Sequence, residues 1–136
     1  MTLGFAETMA GTLTDSAGQA HQTAFTVRAT GEGGGYFRLA GTAFSQGLLD
    51  ATACEGALTI GLGFIRYRVR IPGPRGDWML LGQKSPSPRA AVRSMTVLPI
   101  VLHDPAGAER ARGNLRFSLR ELPAFALSWL MPMARS

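Results

Sequence analysis

Cysteine occurs once in this chain, at Cys54, lysine once, at Lys84, and histidine twice, at His21 and His103. One thiol forms no intramolecular disulfide, and two histidines in turn regions, without a convergent carboxylate pattern, make no metal site. No metal and no cofactor is therefore expected. Cys54 sits among apolar residues with no histidine neighbour, so it reads as a small buried hydrophobe rather than a nucleophile. A reducing, cytoplasmic compartment is the simplest expectation from such sparse cysteine. No apolar run approaches the roughly 18 residues of a membrane span, and acidic Glu7 with no basic segment before it does not read as a signal peptide.

Charged residues are also few, at 17% against 46% apolar, a balance opposite to that of disordered chains. The length of 136 residues suits one domain with a single core. The net charge of +5 is almost wholly arginine. Such a surface attracts acidic partners, but neither an RNA-recognition sheet nor a basic helix is present, so no nucleic-acid partner is expected.

What is there is a period of two. Ile65, Tyr67, Val69 and Ile71 alternate with Arg66, Arg68 and Arg70, which places every apolar side chain on one strand face and every guanidinium on the other. Residues 72–76, PGPRG, read as a five-residue loop, and Trp78 to Lys84 as the returning strand. The same alternation appears at residues 3–14, 23–30, 52–62 (with Leu62 on the inner side), 92–102 and 110–120, with short strands at 36–40 and 41–47. Gly31 to Gly35 reads as a loop with no helix behind it to bind phosphate. Pro99 lacks a ladder donor, which assigns that point to an edge or a bulge. Ser85 to Arg89, with two prolines, reads as a stiff link. Only the end changes period: Leu122, Phe125, Ala126, Trp129, Leu130 and Met133 predict a helix over 121–131 that packs on the sheet, plugs its mouth or joins a second subunit.

These elements predict an all-β fold, an antiparallel β-barrel or sandwich of about eight to nine strands with one C-terminal helix. Small barrels are either filled by side chains or hollow enough for one ligand. Glycines and alanines on the inward faces favour the hollow form.

Glu7 stands on the apolar side of its strand, where a carboxylate has to be paired, hydrogen-bonded or neutralised. It is either a structural carboxylate, a polar anchor for a ligand, or a general base. Lys84 continues the inward series of Trp78, Leu80 and Gly82 and is a candidate partner for Glu7. Tyr67 and Trp78 are aromatic wall residues with polar tips. Glu7, Tyr67, Trp78 and Lys84 are thus the candidate ligand-binding residues.

The run F-x-E-x-M-x-G at Phe5 to Gly11, the strand Tyr67 to Ile71, LLGQK at 80–84, MTVLPIVLHD at 95–104 and GNLRFSLRELPAF at 113–125 resemble, in that order, a β-rich accessory module. That module follows the flavin domain in some cholesterol-oxidase-like members of the glucose-methanol-choline oxidoreductase family, often ahead of an α/β-hydrolase domain. The resemblance implies a lipid- or steroid-handling module working beside an oxidoreductase or hydrolase, with Glu7, Gly82 and Lys84 as the matching positions. The fingerprint G-x-G-x-x-G is missing, so no flavin chemistry is carried over. The expected function is a non-enzymatic barrel for an apolar ligand. Alternatives are a small isomerase or cyclase using Glu7 as base, and an interaction module acting through the arginine face or, as a homo-oligomer, through the helix.

Overall fold

A computed structural model describes residues 4–84 and 97–117. Eight strands run up and down in sequence order: β1 (Gly4–Asp15), β2 (Ala20–Gly33), β3 (Tyr36–Ser45), β4 (Leu49–Gly61), β5 (Phe64–Gly73), β6 (Gly76–Lys84), β7 (Val97–His103) and β8 (Glu109–Phe117). Each pairs antiparallel with the next, and β8 pairs back onto β1 from Met9↔Phe117 to Asp15↔Ala111. The sheet is thus a closed barrel, which decides between the two predicted architectures. The helix expected over 121–131, the link at 85–89 and the outer parts of the strands expected at 3–14, 92–102 and 110–120 lie outside the described residues.

The alternation in β5 is realised residue by residue: Ile65, Tyr67, Val69 and Ile71 are buried, and Arg66, Arg68 and Arg70 are exposed. Elsewhere the strands are longer than the pattern alone indicates. The two short strands expected at 36–40 and 41–47 are one strand, β3, because Gly41 lies mid-ladder between Val27 and Cys54 and does not break it. The loop expected at 72–76 shrinks to Pro74 and Arg75, with Gly73 paired to Gly76 across it. Leu62, expected to face inward, is 95% exposed because it belongs to the tight turn between Gly61 and Phe64.

The β1–β2 and β7–β8 connections share a local design. Asp15 and Asp104 each begin a D-x-A-G turn and accept backbone N–H groups, from Ala17 and Gln19 and from Ala106 and Ala108 respectively. The glycine of each turn, Gly18 and Gly107, takes a positive φ of 83° and 85°, which lets the chain reverse under this side-chain capping. Together with the β3–β4 and β5–β6 turns they form one end of the barrel, called here the hairpin end.

Between β6 and β7 the ladder is short, from Met79↔His103 to Gly82↔Ile100. It stops where Pro99 enters β7, as expected of a residue without an N–H. Pro99 keeps its pairing with Asn114 of β8.

The interior is closely packed. Met9, Leu13, Ala29, Leu39, Val69, Ile71, Leu98 and Leu115 each have 0% exposure, and Glu7, Phe37, Ile60, Ile65 and Tyr67 keep only 3–5%. The hollow form favoured by the inward glycines is not what these residues build. The glycines let the walls close in instead. At Gly41 an added Cβ would lie 1.9 Å from the Thr26 carbonyl oxygen, and at Gly56 2.0 Å from that of Arg68. The neighbouring backbone already occupies the space a side chain would use, so the strands coil tightly and large side chains such as Phe25, Phe37 and Tyr67 fill the remainder.

Candidate functional site

Glu7 is 4% exposed on the inner face of β1, as its place in the alternation predicts. The Tyr67 hydroxyl of β5 donates to its Oε1 at 2.7 Å. Register explains how these two meet. Following paired residues from Tyr67 through Leu58 and Phe37 leads to Gly31, one step past the start of the β1–β2 ladder. Following them the other way, through Gly82, Ile100 and Gly113, leads to Leu13 of β1. Glu7 and Met9 lie midway between those endpoints on β1, so they face Tyr67 across the lumen. The hydrogen bond therefore spans the barrel. Phe25 packs edge-on against the Tyr67 ring, with centroids 6.4 Å apart and planes at 74°. Burial, then the Glu7 charge and its hydrogen bond, push the Tyr67 hydroxyl well above its usual pKa, so it remains a donor.

The other candidates lie apart from this pair. Trp78 pairs with Ile71 four residues along β5 from Tyr67, about 13 Å away at strand rise. It sits at the hairpin end with Leu48 and Leu49, all three half-buried and packed on the core. Lys84 closes β6 opposite Ile65; the pairing expected of its side chain lies outside what is described.

Around Trp78 the turns leave a depression of about 830 Å³. Leu48, Leu49 and Trp78 give it an apolar floor, and Asp50, Arg75, Asp104 and Arg110 stand around it. The Arg110 guanidinium lies over the Trp78 ring at 5.7 Å and 3.6 Å from Asp104. Two arginines against two aspartates leave this lining without net formal charge.

A second polar cluster at the same end was not legible as such, because His21 was read as part of a turn. His21 is in fact the first inward residue of β2, 6% exposed, in series with Thr23, Phe25 and Val27. That period was the available signal. Its Nδ1 lies 2.7 Å from the Gln46 carbonyl oxygen and its Nε2 2.8 Å from Asp15 Oδ2. Both partners only accept, so both nitrogens donate and the ring is an imidazolium. Thr23 and Ser45 hydroxyls meet beside it at 2.8 Å. With neither ring nitrogen free, His21 activates no nucleophile; it clasps the β1–β2 and β3–β4 turns together.

The clasp makes stability depend on pH. The hydrogen bond to Asp15 first, then that to Gln46, raise the His21 pKa above its ordinary 6.5, against burial and the Arg110 charge. The His21 bond first, then the backbone donors, lower Asp15 below 3.8. His21 thus contributes fully below its unfolded pKa and loses that contribution as pH rises through the higher folded value; Asp15 contributes above its unfolded pKa and loses it as pH falls through the lower one. His21→Gln is expected to lower Tm clearly at about pH 5 and hardly at about pH 9, read by thermal melts across that range. An equal loss at both would mean a neutral ring.

Cys54 is buried, and burial pushes its thiol up to about 11. It is expected to react with Ellman's reagent only when the protein unfolds. A fast native-state reaction would contradict its place in the core.

Among the described residues no cluster of three or more metal-ligating side chains is found, and no helix is long and apolar enough to cross a membrane. Comparison with family models, with curated proteins and with solved structures finds no match.

Proposed function

We propose that this barrel binds an uncharged, ring-bearing apolar molecule of the lipid or steroid class at its hairpin end, and does so beside a separate oxidoreductase or hydrolase. The observation that carries this reading is the roughly 830 Å³ depression over Trp78, Leu48 and Leu49. Its volume falls in the range of small-molecule sites, and its few polar groups surround an apolar floor. A flat hydrocarbon ring covers Leu48, Leu49 and the part of Trp78 that Arg110 leaves open, while a hydroxyl or ketone finds donors in Arg75 or Arg110 and acceptors in Asp50 or Asp104. The motif resemblance to an accessory module supports the same ligand class and supplies the oxidoreductase or hydrolase partner.

Binding without turnover fits the chemistry of the described groups. Glu7 is engaged with Tyr67 inside a filled lumen, His21 has both nitrogens engaged, and Cys54 is a buried thiol. A general base has to come within hydrogen-bond reach of the proton it removes, and Glu7 at 4% exposure meets substrate only if the core opens.

The test uses Trp78 as its own reporter. In a Trp129→Phe background, titration with cyclodextrin-delivered cholesterol is expected to change indole emission saturably, and Leu49→Asp is expected to weaken binding by about tenfold or more. A response that is linear without saturation, or one untouched by Leu49→Asp, sinks the proposal.

A further inference from the structure

The outer face of β5–β8 differs from the rest of the barrel surface. One row of paired residues crosses it as Arg68, Leu81, Val101 and Arg112, one from each strand. Pro99 and Arg66 flank that row. The result is a depression of about 690 Å³ with an apolar floor of Leu81, Pro99 and Val101 between arginine rims, Arg66 and Arg68 on β5 and Arg112 on β8. Among the described residues no carboxylate lines it. The β6–β7 ladder ends at Gly82↔Ile100, beside this hollow.

Four of the described arginines have a carboxylate within ion-pair distance. Arg70 is shared by Glu55 and Asp77, Arg110 is near Asp104 and Arg38 is near Glu32. Arg112 pairs with Glu109 from its own strand. Arg66 instead donates to the Gln83 amide oxygen at 3.2 Å and lies over the Phe64 ring, and Arg68 has no carboxylate partner among the described residues. By contrast the outer face of β1–β3 is dominated by threonines at 8, 12, 14, 26, 30 and 42. Arg28, Arg75 and Arg116 also have no carboxylate ion pair among the described residues, but Arg66 and Arg68 stand together on the rim of one apolar floor.

We propose that the β5–β8 groove is a docking site for an acidic, partly apolar peptide segment of a partner protein. Three inter-strand spacings separate the β5 and β8 rims, about 14 Å, which admits one helix or one extended chain. Carboxylates of such a segment meet Arg66 and Arg68, while its apolar side chains cover Leu81 and Val101; the two requirements together call for both kinds of side chain on one segment. A bilayer brings anionic headgroups but keeps its acyl chains within its own plane, leaving a recessed floor uncovered. A nucleic acid brings phosphate, yet the one aromatic residue among the described lining, Tyr67, is buried with its hydroxyl on Glu7 inside the barrel and offers bases no ring to stack on.

The experiment is fluorescence polarisation with a fluorescein-labelled peptide alternating glutamate and leucine. Its counterpart with lysine for glutamate and vesicles of phosphatidylglycerol are run in parallel. The full chain is expected to bind the acidic peptide saturably and less tightly as salt rises. Reversal of the rim, Arg66→Glu with Arg68→Glu, is expected to weaken binding by about tenfold or more, and Leu81→Asp to weaken it through the floor. Arg28→Glu on the threonine face is expected to leave affinity unchanged. Circular dichroism of each variant confirms the barrel. The proposal is overturned by no saturable binding, by equal affinity after rim reversal, by equal binding of the lysine peptide, or by capture on the vesicles with the peptide ignored.

Discussion

Replacing Gly41 with alanine is expected to cost at least about 3 kcal/mol, the upper part of the range for overpacking a core, and so a large share of a domain's stability. The added Cβ would lie 1.9 Å from the Thr26 carbonyl oxygen and 2.7 Å from Val27 Cα. Both are backbone atoms of β2, locked in the β2–β3 ladder, and neither moves away without loss of pairing on both sides. Gly82→Ala is the matched comparison, because there the nearest atoms are the side-chain ends of Leu98 and Ile100, at 2.9 to 3.1 Å. Those side chains rotate, so a smaller loss is expected. Urea denaturation of the two variants reads the difference, and equal midpoints would mean that the wall does not close in at Gly41.

The second large effect lies at the cross-barrel hydrogen bond. Tyr67→Phe removes the donor at 2.7 Å and leaves a carboxylate oxygen of Glu7 without it in a buried setting. Hydrogen bonds to charged groups contribute about 1.5–3 kcal/mol, and that is the expected loss. Replacing both members with apolar residues, Glu7→Met with Tyr67→Phe, also removes the need to bury a charge. The double variant is expected to be more stable than Tyr67→Phe alone, because a buried pair replaced as a unit often costs little. Unfolding free energies from urea titrations give the cycle. Additive losses would show that the two side chains act independently.

These two sites also mark where sequence reasoning reaches and where it stops. The strand carrying Arg66, Arg68 and Arg70 was legible because period two is a local property, and the burial of Glu7 was legible for the same reason. Its partner was not. Tyr67 lies 60 residues away, and which residue faces Glu7 depends on the stagger accumulated around the whole closed sheet. Glycine misled in one direction at two levels: one strand was divided into two at Gly41, and the inward glycines were read as room for a ligand. In both cases the space beside the glycine is occupied by the backbone of a neighbouring strand. His21 was hidden by proximity to a turn, although it shares the period of Thr23 and Phe25. Pro99 was read correctly because its missing N–H acts wherever it is placed.

The chemistry of the hairpin end and the outer groove lies one level further from the sequence. Leu48, Trp78 and Arg110 come from three different hairpins and share a surface only once the barrel closes. Arg68, Leu81, Val101 and Arg112 form a row only through three successive registers. Each residue taken alone reads as a bend, a core aromatic or a solvated arginine.

The central claim is a filled lumen with its ligand held outside, at the hairpin end. Amide and indole resonances followed during titration with cyclodextrin-delivered cholesterol test it most directly. The account predicts saturable shifts at Leu48, Leu49, the Trp78 indole N–H and Arg110, with Glu7, Leu39 and Tyr67 unmoved. Shifts centred on Glu7 and Tyr67, with the hairpin end silent, would contradict it.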